Sequence, residues 1–188
     1  MTVIAMTTAG EVDPEAADYA AATLRSVMAV DTRPIAPLPD PAYAYDISRA
    51  QYSSTLILRD ALTRAPDWAA RLVVLTERDL FIPMLSFVYG QAQLDGKVAV
   101  LSFARLRQEF YSLPPNRPLF FVRVRKEVLH EVGHTFGLTH CEEPLCTMTL
   151  STSIQQLDTK RGEFCQSCSL LLGDAVAATQ TQLLGGSK

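Results

Sequence analysis

The chain has 188 residues, of which 48% are hydrophobic and 20% charged, with a formal net charge of −3 and a pI near 5.6. This length suits one domain. The scattered basic residues exclude the electrostatic footprint of a protein that binds nucleic acid or an anionic membrane. The first residues lack a signal-peptide pattern, and no run approaches the ~20 apolar residues of a membrane span. We therefore expect a cytoplasmic protein, monomeric by default, without nucleic-acid or membrane partners.

The N-terminal part of the chain alternates strand-like and helix-like stretches. Thr2–Thr7 is predicted to be a strand. Asp13–Glu15 then opens an alanine-rich helix that reaches about Met28, because Asp is a favoured N-cap and Pro a favoured first helical residue. Ala29–Pro41 carries four prolines, which predicts an extended edge or a loop.

A second helix is predicted from about Ser48 to Thr63, followed by a buried strand at Arg71–Thr76. The stretches Leu85–Gln93 and Lys97–Phe103 flank an Asp-Gly pair, which is the preferred pair for a tight hairpin turn. Two antiparallel strands are therefore expected there.

The proline-rich segment Pro114–Pro118 ends any preceding element and begins a long helix that carries the histidines. From about Phe136 the chain is rich in loops and cysteines, and it is too short to fold unaided. Leu170–Leu184 is predicted to form a closing helix that ends at Gly185 and Gly186. The sequence thus predicts one domain of α/β (α+β) class with a mixed sheet. Residues 1–136 form its N-terminal α/β subdomain, and residues 137–188 form a small C-terminal subdomain.

The strongest motif is the stretch His130–His140, which matches the pattern HExxHxxGxxH and holds the only three histidines of the chain. On a helix His130 and His134 stand one turn apart on one face, so both imidazoles reach one zinc ion. Gly137 can adopt the left-handed conformation that ends a helix, which lets His140 approach from another direction. Three histidine ligands leave a fourth position open, as in catalytic rather than structural zinc sites.

Glu131 is the candidate general base. It lies about 100° round the helix from His130 and about 60° from His134, close enough to hold a zinc-bound water without binding the metal. Zinc lowers the pKa of that water toward ~7, and Glu131 takes its proton during attack on a peptide carbonyl. Because every histidine binds zinc, Glu131 is also expected to return the proton to the leaving amine, although a tyrosine donor stays open. The pattern predicts a zinc metallopeptidase, and the competing interpretation is a helix whose histidines only form hydrogen bonds.

The four cysteines, Cys141, Cys146, Cys165 and Cys168, all lie in one short stretch. Thiols at such spacings in a reducing compartment are better interpreted as metal ligands than as disulfides. Neighbouring residues of an extended segment point to opposite sides, so His140 and Cys141 are expected to serve different metals. Four thiolates fill a tetrahedral shell, which predicts a structural zinc and two zinc ions per chain. Disulfides, or a redox Cys-x-x-Cys at 165–168, are the alternatives.

The run His140-Cys141-x4-Cys146-x-Met148, followed by Cys165-x2-Cys168, resembles the archaemetzincins, a family of the metzincin metallopeptidases. Residues 79–83, 86–90 and 98–107 are also similar to that family. The resemblance implies a metzincin-like twisted mixed sheet with helices, an active-site helix and zinc at the floor of a horizontal cleft. It also implies a small zinc-stabilised C-terminal subdomain, and Met148 as the residue of a methionine turn below the zinc. Otherwise Met148 simply fills the core.

The same resemblance implies a peptide or protein substrate, with action on short or N-terminal substrates in an aminopeptidase-like way. A strand near Phe87–Gln91 would receive the substrate by backbone pairing, unless it is an ordinary edge strand. The leading alternative is a catalytically silent, zinc-dependent binding or scaffold protein of the same fold. Glu131 distinguishes the two hypotheses, because a scaffold has no need of the base. A zinc ribbon that contacts nucleic acid is opposed by the sparse Lys and Arg around the cysteines.

Overall fold

The computed structural model describes residues 1–185, with side chains as far as Thr181. Its strands, in chain order, are β1 (Val3–Thr8), β2 (Asp31–Pro34), β3 (Tyr45–Asp46), β4 (Gln51–Ser53), β5 (Arg71–Thr76), β6 (Leu80–Phe81), β7 (Gly90–Ala92) and β8 (Val98–Ser102). Its α-helices are α1 (Pro14–Met28), α2 (Ser54–Arg64), α3 (Arg117–Thr135), α4 (Ile154–Thr159) and α5 (Gln166–Gly185). Short 3-10 turns lie at Ala42–Ala44, Ala104–Leu106 and Gln108–Tyr111.

The main sheet has five strands in the order β2-β1-β5-β8-β7. The first four are parallel to one another, and β7 runs antiparallel to β8 at the edge. Strands β3, β4 and β6 form a separate small sheet. The predicted α/β class with a mixed sheet is confirmed, and the predicted hairpin supplies the antiparallel pair.

Each face of the main sheet packs against helices. Side chains alternate between the two faces of a strand, so Ile4, Val73 and Leu101 pack with α1 and α3 on one face. On the other face, Leu72 and Val100 pack with α2. Helix α3 also contacts β7. The histidine-bearing helix therefore lies beside the edge strand, and a cleft forms between them.

The predicted starts of α1 and of the histidine-bearing helix α3 agree with the structure, because each helix is capped by a residue next to it in sequence. Asp13 accepts a hydrogen bond from the Ala16 N–H at 3.2 Å, and Pro14 is the first residue of α1. Asn116 caps α3 in the same way, accepting from the Leu119 N–H at 3.0 Å. Short polar side chains satisfy the free N–H groups of a first helical turn.

The predicted start of the second helix at Ser48 is wrong, because α2 begins at Ser54. The Asp46 carboxylate accepts hydrogen bonds from the Ser48 and Arg49 N–H groups at 2.9 and 3.2 Å. This Asx turn competes with helix formation. The chain then forms β4, and the Ser53 side chain caps α2.

The strand predicted at Leu85–Gln93 is too long, because only three of its residues form β7. Before β7 the chain turns away, and the Val88 N–H donates to the Leu80 carbonyl oxygen at 2.9 Å. Asp95 in the hairpin turn has a positive φ of 48°. Its N–H donates to the His134 carbonyl oxygen at 2.9 Å, which joins the hairpin to the end of α3.

The C-terminal part contains more helix than the sequence predicts. Helix α4 has no periodic signal, but the Ser153 side chain caps it by accepting from the Gln156 N–H. Helix α5 includes the predicted closing helix and begins earlier, at Gln166. Gly186, predicted to end that helix, lies outside the described residues. The division into subdomains at residue 136 stays a prediction. No helix among residues 1–185 combines the length and apolarity that a membrane crossing requires.

The densest basic run of the chain is structural. Arg123 is 3% exposed and donates to both Asp158 carboxylate oxygens at 2.8 and 2.7 Å. Lys126 donates to the carbonyl oxygens of Leu157 and Asp158, both at 3.0 Å. Arg125 donates to another carbonyl in the same region. These cations attach α3 to α4 and to the segment that follows α4, so the basic cluster serves the packing between these elements.

A close contact between Gly133 and Met148 determines how near α3 lies to the C-terminal part of the chain. A Cβ atom at Gly133 would lie 2.6 Å from the sulfur of Met148 and 3.3 Å from its terminal methyl carbon. Met148 is fully buried. Because real Cβ contacts do not reach 2.6 Å, glycine is required where the helix passes over this methionine.

We predict that Gly133→Ala destabilises the protein even though alanine is the better helix former by about 1 kcal/mol. Overpacking against Met148 costs about 1–3 kcal/mol. The expected outcome is a Tm lower by roughly 2–6 °C, measured by calorimetry at fixed metal content.

The matched control is Gly173→Ala in α5, where a Cβ would meet no atom of the described residues within 4 Å. That variant is expected to gain about 0.5–1 kcal/mol from reduced backbone entropy. An equal gain in both variants would contradict the tight Gly133–Met148 contact.

Candidate metal centre and active-site cleft

The three histidines converge at the C-terminal end of α3. His130 and His134 lie one helical turn apart, with 3.1 Å between their Nε2 atoms. The His140 ring lies 5.4 Å from that of His130 and 5.0 Å from that of His134, centroid to centroid. One donor atom from each residue lies within 4.8 Å of the others. The motif predicted from spacing is thus one cluster in space.

The third histidine reaches the cluster through the turn at Gly137. This residue has a φ of +88°, in the left-handed region, as predicted. Its N–H donates to the His134 carbonyl oxygen at 3.0 Å, and the Leu138 N–H donates to that of Gly133 at 3.1 Å. These bonds satisfy the last carbonyls of α3 and turn the chain back toward the cleft.

Backbone carbonyls orient two of the imidazoles. His130 Nδ1 lies 2.9 Å from the Thr147 carbonyl oxygen, and His134 Nδ1 lies 2.7 Å from that of Leu138. Because a carbonyl oxygen only accepts, each Nδ1 carries the proton and each Nε2 keeps its lone pair. The two Nε2 lone pairs therefore face the centre of the cluster.

The cluster fits a zinc ion. Two tetrahedral ligands at the usual Zn–N distance stand about 3.3 Å apart, close to the spacing of the His130 and His134 Nε2 atoms. Burial lowers the pKa of His130 well below its usual value, and it also lowers the pKa of His134 and His140. The positive charge of Lys160 acts in the same direction. Neutral imidazoles are the form that binds metal.

Glu131 lies next to this cluster and is 6% exposed. A Cβ at Gly90 would lie 2.6 Å from its Cγ and 2.7 Å from its Cδ, so the carboxylate packs directly on β7. Burial raises the pKa of Glu131 well above its usual value, the charge of Glu127 adds to the rise, and Lys160 opposes it. The predicted base thus shares the histidine cleft.

The cleft has a volume of about 290 Å³. One wall is the segment 85–92, which includes β7, and the other is the inner face of α3. His140, residues 150–152 and Lys160 line the rest. Of the tyrosines that the sequence leaves open as proton donors, Tyr89 lines the cleft, and burial raises its pKa.

Sequence reasoning missed three polar residues of this cleft: Glu127, Ser151 and Lys160. Burial raises the pKa of Glu127 to about 7, opposed by the charges of Lys160 and Lys126. Glu127 precedes Glu131 by one turn, so helical periodicity could have placed both on one face. No local pattern marks Ser151 or Lys160, because only the tertiary fold brings them to α3.

Met148 packs against Gly133, which lies between His130 and His134 on α3. Its backbone continues the support, since its carbonyl oxygen accepts from the Cys141 N–H at 3.1 Å. The preceding residue, Thr147, is the one whose carbonyl orients His130. The short segment 147–148 therefore contacts both α3 and the segment that follows His140.

The four cysteines form a second cluster. Their sulfur atoms all lie within 4.8 Å of one another, and none is in a disulfide. Cys141 and Cys165 sulfurs are 3.8 Å apart, whereas a disulfide requires about 2.05 Å. The Cys165 N–H points at Cys146 Sγ from 3.3 Å, and the Cys168 N–H points at Cys165 Sγ from 3.5 Å. Backbone N–H groups aimed at sulfur stabilise thiolates, the form that binds metal.

The chain is similar to known proteins along most of its length. A sequence model of peptidase family M54 matches residues 55–173. The archaemetzincin of Methanocaldococcus jannaschii is 45% identical over 134 residues, which cover 71% of this chain and 73% of that protein. The crystal structure of the Methanopyrus kandleri archaemetzincin superposes with a TM-score of 0.82 at 33% identity, covering 94% of this chain and 96% of its own. The malonate complex of the Archaeoglobus fulgidus archaemetzincin superposes with a TM-score of 0.78 at 30% identity, covering 90% and 99%. The chain belongs to peptidase family M54, the archaemetzincins, a family of zinc metallopeptidases.

Proposed function

We propose that this protein is a metzincin-type peptidase. It hydrolyses peptide bonds with a catalytic zinc held by His130, His134 and His140. Glu131 is its general base and acid. The observation that carries the proposal is the convergence of two carbonyl-oriented Nε2 lone pairs and a buried carboxylate in one cleft. Three neutral nitrogen ligands with an adjacent carboxylate form the donor set of a hydrolytic zinc site.

A zinc ion held by these histidines would supply a Lewis acid that polarises the peptide carbonyl and acidifies water. Glu131 accepts a proton from the attacking water and delivers it to the leaving amine. Its carboxylate makes no hydrogen bond with the described residues that would compete for this role. Burial keeps bulk water away and strengthens each electrostatic interaction in the cleft.

Strand β7 is the surface on which an extended substrate pairs. It is the last strand of the main sheet and lines the cleft opposite α3. A peptide added beside it gains main-chain hydrogen bonds. Gly90 brings this backbone within van der Waals distance of Glu131, which positions a paired peptide bond next to the base. Short peptides and free N-termini, cleaved in an aminopeptidase-like way, are the substrates that we propose.

A second zinc, held by Cys141, Cys146, Cys165 and Cys168, is structural in this proposal. Four thiolates would fill all the positions of a tetrahedral zinc site and leave none for water. This zinc would stabilise residues 137–188 as a small subdomain and hold Met148 in a methionine turn below the active site. Free thiols suit a reducing compartment, and we propose a cytoplasmic location on that ground.

We predict that Glu131→Ala lowers peptide cleavage by about 10²–10⁴-fold, the range for loss of a general acid–base group. The measurement is cleavage of a mixed peptide library, read by mass spectrometry, with zinc content and Tm of both proteins determined. Glu109→Ala, which removes an exposed carboxylate from a 3-10 turn, is the control and should leave cleavage unchanged.

Cleavage that survives in Glu131→Ala would contradict the assigned base. A library that neither protein cleaves, although both are folded and zinc-loaded, would instead favour the silent binding or scaffold alternative.

We predict two zinc ions per purified chain, measured by elemental analysis. His134→Ala should lose one zinc and keep its fold, because the cysteine cluster is untouched. Cys168→Ser should lose the other and fail to fold stably, since metal binding supplies folding energy to such sites. Ser169→Ala, the exposed neighbour of Cys168, is the control. A single zinc in the wild-type protein would disprove the two-site proposal.

A further inference from the structure

The cleft extends beyond Glu131 to two buried charges of opposite sign. Glu127 on α3 is 3% exposed, and Lys160, after α4, is 4% exposed. Both line the cleft. Each perturbs the other electrostatically, yet they form no ion pair with each other. The two side chains therefore line the same cleft without touching each other.

Both charges keep unused hydrogen-bonding capacity. The Glu127 carboxylate has no hydrogen-bond partner among the described residues. The Lys160 ammonium has three donors, and within the described residues it uses one of them, on the Thr147 carbonyl oxygen at 3.2 Å. Ser151 lines the same cleft, and its buried Oγ is also without a partner in the described part of the chain. Buried polar groups of this kind are costly unless a ligand pairs with them.

The chemistry of the cleft selects among substrate side chains. An apolar side chain would leave both charges desolvated and unpaired. A cationic side chain would be repelled by the charge of Lys160. An anionic side chain would be repelled by the carboxylates of Glu127 and Glu131. A carboxamide is neutral and carries an N–H₂ donor beside a carbonyl acceptor, so it satisfies an acid and an ammonium at once.

We propose that Glu127, Ser151 and Lys160 form a specificity subsite for a carboxamide side chain, glutamine or asparagine, next to the scissile bond. The amide N–H₂ donates to Glu127, the amide oxygen accepts from Lys160, and the Ser151 hydroxyl completes the contacts. This inference rests on the proposed peptidase function, because it specifies the substrate of the same cleft. A site built around hydrogen bonds strongly rejects analogues that lack them.

The test uses two peptide series, one for each residue that flanks the cleaved bond, with Gln, Met, Leu, Glu or Lys at that position. Methionine matches the length of glutamine without its hydrogen bonds. In the zinc-loaded wild-type protein, kcat/KM for the Gln peptide should exceed that for the Met peptide at least about tenfold in one series, as two hydrogen bonds to charged groups imply. The Leu, Glu and Lys peptides should also fall below Gln.

Glu127→Met and Lys160→Met should each bring the Gln-to-Met ratio close to one, and Glu109→Met should keep it. Binding of the same uncleaved peptides to zinc-loaded Glu131→Ala, measured as Kd, gives a readout that does not require turnover. The Gln preference should recur there.

The outcomes separate the subsite from the peptidase proposal. Cleavage without a Gln preference, or with a preference for Leu, Glu or Lys, would overturn the subsite and leave the peptidase standing. A Gln preference in binding without cleavage by the wild type would support the subsite and refute the peptidase. If no peptide is bound or cleaved, both proposals fail.

Discussion

The hydrogen bond between His130 Nδ1 and the Thr147 carbonyl oxygen is the interaction on which the site depends. Thr147 stands between Cys146 of the thiol cluster and Met148 below α3. Three consecutive residues therefore provide a thiol of the cysteine cluster, the acceptor that sets a histidine tautomer, and the side chain that packs on Gly133. A shift of this short segment would disturb all three contacts together. The orientation of His130 thus depends on a turn that is distant in sequence from the helix.

The same segment couples the two clusters through the backbone. The Cys141 N–H donates to the Met148 carbonyl oxygen, and Cys141 is covalently next to His140. The third histidine is therefore held by a residue that also reaches the thiol cluster. Two further hydrogen bonds hold Thr147 in place. Lys160 donates to the Thr147 carbonyl oxygen, and Thr147 Oγ1 donates to the Lys126 carbonyl oxygen at 2.9 Å. In a medium of low dielectric these bonds are stronger than in water, so a small C-terminal region can hold a site rigidly.

The parts of the site that follow local rules could be predicted from the sequence. The one-turn spacing of His130 and His134 and the left-handed Gly137 are properties of a helix and its end, and α1 and α3 begin at caps visible as Asp-Pro and Asn-x-Pro. The start of α2 could not be predicted by periodicity, because the Asp46 side chain captures N–H groups that a helix would have used. The convergence of Glu127 with Lys160 was equally hidden. It depends on how α3 packs against the segment that follows α4, which is distant from Glu127 in the sequence. Side-chain packing of that kind leaves no periodic signal.

The electrostatics of the cleft explain why its unusual residues belong together. Burial keeps the three histidines neutral, so the charge of a divalent cation bound between them would not be compensated by the imidazoles. Glu127 and Glu131 are buried on the same helix face and form no hydrogen bond with any residue that the structure describes, and a lone buried charge of either sign is unfavourable. A bound cation and the two carboxylates would therefore stabilise one another across the cleft, and Lys160 reduces the excess negative charge of the pair. The buried acids that make this cleft costly for the protein alone are the groups that make it suited to a metal and a polar substrate.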